Sequence, residues 1–69
     1  MPYKYREIKK RLLKLGFKIV RQNGSHVIFT KSGLTFPVPN HGGKDISNGI
    51  ENKIIKLLGE TKESFRKIK

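Results

Sequence analysis

The chain has 69 residues, no cysteine, and sixteen Lys and Arg against five Asp and Glu, which give a formal net charge of +11. Its length predicts one small domain over residues 1–69, and the lack of cysteine excludes disulfides, a thiol nucleophile and thiolate metal ligands. No apolar run approaches the roughly 18 residues that span a bilayer, and the first residues lack the apolar core of a signal peptide, so we expect a cytoplasmic protein without a membrane segment.

The first predicted element is an amphipathic helix from Tyr5 to Leu15. Apolar residues recur there at spacings of three and four, and basic residues fall between them. Gly16 follows the last periodic residue, where a left-handed residue commonly ends a helix. The basic outer face of this helix carries Arg6, Lys9, Lys10 and Lys14.

Three β-strands are predicted next, over residues 17–22, 25–31 and 34–38, because these stretches are rich in β-branched and aromatic residues. Asn23-Gly24 and Ser32-Gly33 separate them. Short connections that contain glycine are typical of antiparallel hairpins. The strands are therefore expected to form an antiparallel meander.

A loop and a second helix follow the third strand. Pro37 and Pro39 have no backbone N–H to donate to the hydrogen bonds of a sheet, so this strand should end there or lie at a sheet edge. Residues 40–44 are predicted to form a flexible loop. The second helix should begin near Ser47 or Asn48. Its expected core residues are Ile50, Ile54, Leu57 and Leu58.

The C-terminal tail is expected to pack on the domain through Phe65, with Thr61 as the N-cap of one or two further helical turns. The resulting order is α-β-β-β-α. This order predicts an α+β fold of two layers, in which an antiparallel three-stranded sheet carries two helices on one face. The other face of the sheet should stay open.

His26 is the candidate catalytic residue. Side chains alternate across a strand, so if Val27 and Phe29 face the core, His26 lies on the open face. An unperturbed histidine has a pKa of about 6.5 and exchanges protons near neutral pH, and RNA carries its own nucleophile in the 2′-hydroxyl. Taken alone, however, a histidine in a strand is more often a structural or surface residue than a catalyst.

Gly24 and Ser25 stand directly before this histidine and are candidate RNA-binding residues. A residue without a side chain, followed by a small hydroxyl, would let a phosphate approach the backbone and offer it a donor. The two residues would serve equally well as the turn between two strands. The pattern leaves both interpretations open.

His41 and Lys44 lie in the glycine-rich loop before the second helix, and together they could hold a phosphate. His41 could also act as the acid that protonates a leaving 5′-oxygen. A structural or solvent-facing role for His41 is equally compatible with the sequence. We therefore include both residues among the candidate RNA-binding residues and leave the role of His41 open.

The basic character of the chain indicates a polyanionic partner, and nucleic acid is the first expectation. Lys9, Lys10 and Lys14 should contribute affinity and salt dependence, although basic residues also serve solubility alone. Two histidines and five carboxylates at these spacings provide no metal-ligand set, and no nucleotide-binding motif is present. We expect neither a metal nor another cofactor.

The motifs resemble a known family, the HicA toxins of HicA/HicB toxin-antitoxin pairs. The resemblance runs in order along nearly the whole chain. It is carried by Leu15-Gly16-Phe17, by residues 21–29 with Gly24-Ser25-His26, by Val38-Pro39-Asn40-His41, and by Gly49-Ile50 with Ile54.

This resemblance implies a fold like that of double-stranded-RNA-binding domains and an mRNA interferase activity that arrests translation. It places the family's essential histidine at His26 and includes Gly24 in the same motif. It also implies a HicB antitoxin as partner, with the toxin a monomer alone or part of a hetero-oligomer with the antitoxin. Asn40 departs from the basic residue more usual at its position.

The alternative function is a non-catalytic binder of structured or double-stranded RNA. The same fold can hold a duplex without cleaving it. Fold alone therefore cannot separate a metal-independent ribonuclease from an RNA-binding module.

Overall fold

Six elements follow one another along residues 3–68, the part of the chain that this computed structural model describes. They are α1 (Tyr5–Lys14), β1 (Lys18–Asn23), β2 (His26–Lys31), β3 (Leu34–Pro39), α2 (Asn48–Leu57) and α3 (Lys62–Lys67). The predicted order is confirmed, and each predicted strand boundary lies within one residue of the observed one.

The three strands form one antiparallel sheet in the order β1-β2-β3. β3 is therefore an edge strand, as its two prolines predicted. Ser32 and Gly33 connect β2 to β3, and both have positive φ, of 49° and 84°. Two successive left-handed residues are the type I′ geometry that matches the twist of a hairpin.

The core lies between the helices and one face of the sheet. Val27 and Phe29 of β2 and Phe36 and Val38 of β3 are buried. The helices and the segments beside them bury Ile8, Leu12, Phe17, Ile46, Ile54, Ile55 and Phe65 against them. The sequence prediction of an α+β fold with two layers is confirmed.

The core face of α2 differs from the prediction. Ile50 and Leu57 are 37% and 41% exposed, whereas Glu51 is only 8% exposed and lies beside the buried Ile54 and Ile55. The buried stripe therefore begins at a carboxylate, which apolar periodicity does not reveal. The Glu51 carboxylate accepts a hydrogen bond of 3.3 Å from the Tyr3 backbone N–H, which compensates part of its desolvation.

The tail packs on the domain as predicted. Thr61 caps α3, with its hydroxyl accepting a hydrogen bond of 3.0 Å from the Ser64 N–H. Phe65 is fully buried, and its ring meets the Tyr3 ring edge-on at 5.4 Å between centroids. This tail adds a third short helix to the helical layer.

Candidate functional site

The candidate site lies on the side of the sheet that faces away from the core. Alternation and strand pairing define this open face as the side chains of Lys18, Arg21, Asn23, His26, Ile28, Thr30, Thr35, Pro37 and, buried at the end beside His26, Pro39. The sequence contains no Asp or Glu between Glu7 and Asp45, so the strands carry no carboxylate. The open face therefore combines basic side chains with an absence of the charges that would repel phosphate.

A tight turn leads into His26. Gly24 and Ser25 connect β1 to β2, and of these two only Gly24 has a positive φ, of 63°. A positive φ at the first central residue is characteristic of type II′ hairpin turns, which take glycine there. The Gln22 side-chain amide donates a hydrogen bond of 3.1 Å to the Gly24 carbonyl and holds the turn.

Glycine is favoured at position 24 because the backbone there has a positive φ, and not because a larger side chain would clash with its neighbours. A Cβ atom placed on it would have no atom within 4 Å. A side chain at this left-handed position would nevertheless cost roughly 1–2 kcal/mol. The space over the turn is therefore open, which leaves both sequence interpretations, a phosphate contact and a turn alone, compatible with the structure.

His26 is the first residue of β2 and is exposed. It stands opposite Asn23 on β1 and opposite Pro39 on β3. Because it alternates with the buried Val27, its side chain belongs to the open face. The structure thus gives His26 the accessible position that the strand pattern predicted.

The loop that contains His41 begins at the same end of the sheet. The Asn40 backbone N–H donates a hydrogen bond of 2.6 Å to the Ser25 carbonyl, one residue from each histidine. His41 and Lys44 are both exposed. The turn with Gly24 and Ser25, His26 and the start of this loop are therefore neighbours in the fold.

The other end of the loop is attached to the start of α1. The Lys4 ammonium donates to the Gly43 carbonyl at 2.9 Å and lies 3.2 Å from an Asp45 carboxylate oxygen. The Ile46 N–H donates to the Tyr3 carbonyl at 2.7 Å. Backbone and ionic contacts therefore attach both ends of the loop to the rest of the fold.

The N-terminus of α2 has its own polar partners. The Ser47 hydroxyl accepts from the Ile50 N–H at 3.4 Å, and Glu51 places a negative charge in the first turn. Such a carboxylate already complements the helix dipole. His41 is held near Ser25 instead, so the structure associates it with the sheet end.

Lys9, Lys10 and Lys14 lie on α1, in the helical layer. The structure does not bring them to the open face with His26, since the sheet stands between. These lysines therefore do not form one surface with His26.

Sequence reasoning did not identify Arg21 as a site residue. Its Cα partner is Ile28, and it shares the open face with His26. An irregularity in the β1–β2 pairing between Ile19 and Arg21 produces this placement. No residue type in the sequence marks that irregularity, so strand alternation alone could not have found it.

A groove lies elsewhere, among the three helices. It is lined by Tyr3, Glu7, Arg11, Glu51, Ile55, Lys62, Glu63 and Arg66. Three of the five acidic residues line it, so its charge suits a phosphate less well than that of the open face. Within residues 3–68, no group of three His, Cys, Asp or Glu side chains is arranged to hold a metal ion, and no helix could cross a membrane.

Comparison with known proteins gives a family match over most of the chain. The family model for the HicA toxin of bacterial toxin-antitoxin systems matches residues 5–60. A probable mRNA interferase HicA from Pseudomonas fluorescens (strain Pf0-1) is 32% identical over 56 residues, which cover 81% of this chain and 93% of the relative. No solved structure matches. The matched region contains both histidines and ends before α3.

Proposed function

Because this chain belongs to the HicA toxin family, we propose that it is an mRNA interferase that cleaves mRNA in the cytoplasm and arrests translation, with His26 as its catalytic base. The observation that carries the proposal is the position of His26. It is exposed on a carboxylate-free basic face, directly after an open turn.

The proposed reaction needs only groups that the RNA and this face supply. His26 takes the proton from a ribose 2′-hydroxyl, and the 2′-oxygen forms a bond to the adjacent phosphorus. The bond from phosphorus to the 5′-oxygen breaks, and that oxygen takes a proton from an acid, His41 or water. The products are a 2′,3′-cyclic phosphate and a free 5′-hydroxyl.

The surrounding residues have supporting roles in this proposal. Gly24 and Ser25 let the RNA backbone approach the turn, and backbone N–H groups and basic side chains offset charge that develops on phosphorus. His41 and Lys44 enter from the loop attached to Ser25. Lys9, Lys10 and Lys14 add longer-range attraction for RNA. We propose no metal in any of these steps.

A His26→Ala variant tests the catalytic role. We expect it to remain folded, to bind RNA, and to lose cleavage by about 10²–10⁴-fold, the usual contribution of general acid–base catalysis. Cleavage by the wild type should persist in EDTA and should stop when the ribose at the cleavage site is 2′-deoxy. The measurement is product analysis by mass spectrometry after incubation with a defined RNA.

The controls separate the two candidate functions. His41→Ala is the matched variant. A small effect on cleavage would mean that His41 takes no part in the reaction. Undiminished cleavage by His26→Ala would show that His26 is not the catalytic base. RNA binding by a wild-type protein that never cleaves would instead support the alternative, a non-catalytic binder of structured RNA.

We further propose that a HicB-type antitoxin neutralises the protein by covering the open face. An antitoxin with acidic residues would match the charge of this face, and covering it would deny RNA access to His26. Mixing the two proteins should yield a stable hetero-oligomer with no cleavage. Adding charge of the wrong sign through Lys18→Glu should weaken that complex, and unaltered binding would place the antitoxin elsewhere.

A further inference from the structure

We propose that Arg21 binds the RNA phosphate that His26 attacks through the 2′-oxygen. This inference rests on the proposed function and adds to it a group that touches the reacting phosphate. Its basis is the backbone of β1, which departs from regular pairing at one residue.

The departure is a bulge at Val20. Ile19 stands opposite Phe29, but the next paired residue, Arg21, stands opposite Ile28. In an unbroken ladder Val20 would pair with Ile28, and Arg21 would face the helices opposite the buried Val27. The extra residue therefore turns the Arg21 side chain onto the open face, in the way that bulges re-aim side chains beside functional sites.

The bulge brings Arg21 within reach of the histidine. Asn23 stands directly opposite His26, and Arg21 precedes Asn23 by two residues on the same face. Diagonal neighbours of this kind have Cα atoms roughly 7–8 Å apart. An extended arginine side chain covers such a distance, so the guanidinium and the imidazole can contact one phosphate.

Arg21 is also available for a ligand. Within residues 3–68 its side chain takes part in none of the hydrogen bonds or ion pairs that the protein makes. It is exposed, and a guanidinium can donate two parallel hydrogen bonds to phosphate oxygens. This geometry fits the non-bridging oxygens of the scissile group.

Two simpler explanations make different predictions. A bulge on an edge strand also discourages pairing with another chain, and an exposed arginine can serve only as general attraction for RNA. A general charge changes affinity and its salt dependence. A group that binds the scissile phosphate as its charge rises in the transition state changes kcat.

The first experiment compares Arg21→Ala and Arg21→Lys with Lys18→Ala in single-turnover cleavage of a defined RNA. Lys18 is the matched control because it lies on the same strand and face, opposite Thr30 and farther from His26. Arg21→Ala should lower kcat by about 10²–10³-fold, as removal of one transition-state donor commonly does. Arg21→Lys should recover part of that activity, and Lys18→Ala should act through KM.

The second experiment uses two single-residue deletions that give chains of equal length. Deleting Val20 removes the bulge and leaves Arg21 opposite Ile28, whereas deleting Arg21 removes the bulge and leaves Val20 there. Both chains have the same regular ladder. Cleavage should survive the first deletion and fall with the second to the level of Arg21→Ala, with circular dichroism and thermal melting confirming that both chains fold.

The outcomes separate this assignment from the proposed function. If the wild type cleaves and His26→Ala does not, but Arg21→Ala changes only KM, as Lys18→Ala does, the Arg21 assignment is wrong and the ribonuclease function stands. Equal loss of cleavage in the two deletion chains, with both folded, would show that the bulge and not the arginine matters. A wild type that does not cleave RNA overturns both.

Discussion

Arg11 and Arg21 are the same side chain in two different surroundings, one in the helical layer and one on the open face. The Arg11 guanidinium lies 4.7 Å from the centre of the Tyr3 ring and 5.7 Å from that of Phe65. It also donates hydrogen bonds of 3.1 and 3.3 Å to the Phe65 and Arg66 carbonyls. Arg21 has no comparable partner among residues 3–68.

The contrast shows how one basic composition serves two purposes. Carbonyls near the C-terminal end of a helix attract positive charge, so Arg11, by donating to the Phe65 and Arg66 carbonyls, helps to hold α3 on the domain. Lys31 acts similarly, donating to the Leu15 carbonyl just beyond α1. Within residues 3–68, the Lys18 and Arg21 side chains of the open face make no hydrogen bond or ion pair of this kind.

The largest expected effect is a difference in stability between two variants, each of which removes the charge of one of these arginines. Arg11→Met should lower the free energy of unfolding by about 1.5 kcal/mol, the low end for hydrogen bonds to charged groups, because Arg11 is half-buried. Arg21→Met should change it by no more than about 0.5 kcal/mol, as at most surface sites. Urea denaturation measures both. If both variants lowered the free energy of unfolding equally, Arg11 would contribute no more to stability than Arg21, and the contrast between the two arginines would be wrong.

The second prediction concerns the salt dependence of RNA binding. Removing charge from Lys18 and Arg21 should flatten the slope of log affinity against log salt by about 0.7–0.9 for each phosphate that is no longer neutralised. Lys9, Lys10 and Lys14 together, changed to Gln, should weaken binding with a smaller change of slope, because they lie in the other layer. A larger effect from the triple variant would mean that RNA binds the helical layer.

The smallest predicted effect is an alkaline loss of stability. Burial beside the core raises the pKa of Tyr5 above its usual value of 10.0, since desolvation disfavours the phenolate. The folded state thus holds this proton more tightly than the unfolded state. The resulting stabilisation is complete below about pH 10 and is lost as pH rises through the folded pKa. Above about pH 10, the free energy of unfolding should fall less steeply with pH for Tyr5→Phe than for the wild type. Urea denaturation at a series of pH values measures this, and equal slopes for the two proteins would contradict it.

The elements of the fold were predictable because local rules determine them. The spacing of Ile8 and Leu12 predicted the buried side of α1, and both are fully buried. Glycine-containing pairs predicted both hairpin turns. The prediction for α2 was partly wrong, because periodicity identified Ile50 and Leu57 as core residues and passed over Glu51, which is buried by its position on the helix and by its bond to Tyr3.

The candidate site was predictable only in part. The alternation of β2 predicted that His26 would lie opposite the core side, and it does. The roles of Gly24, Ser25, His41 and Lys44 remain proposals, although the hydrogen bond from Asn40 to Ser25 brings the first three of these residues to one end of the sheet. That bond joins residues distant in sequence, and no local pattern indicates it.

The sequence by itself determined the order of helices and strands, the basic charge and the accessible side of β2, because these depend on spacing and composition over a few residues. Only the tertiary structure decided which basic side chains share a face of the sheet with His26 and which contact other parts of the protein. Pairing with β2 turns Arg21 towards the face of His26 through the bulge at Val20, and packing of α3 engages Arg11 in the other layer. Both placements depend on contacts between elements, which local periodicity does not encode.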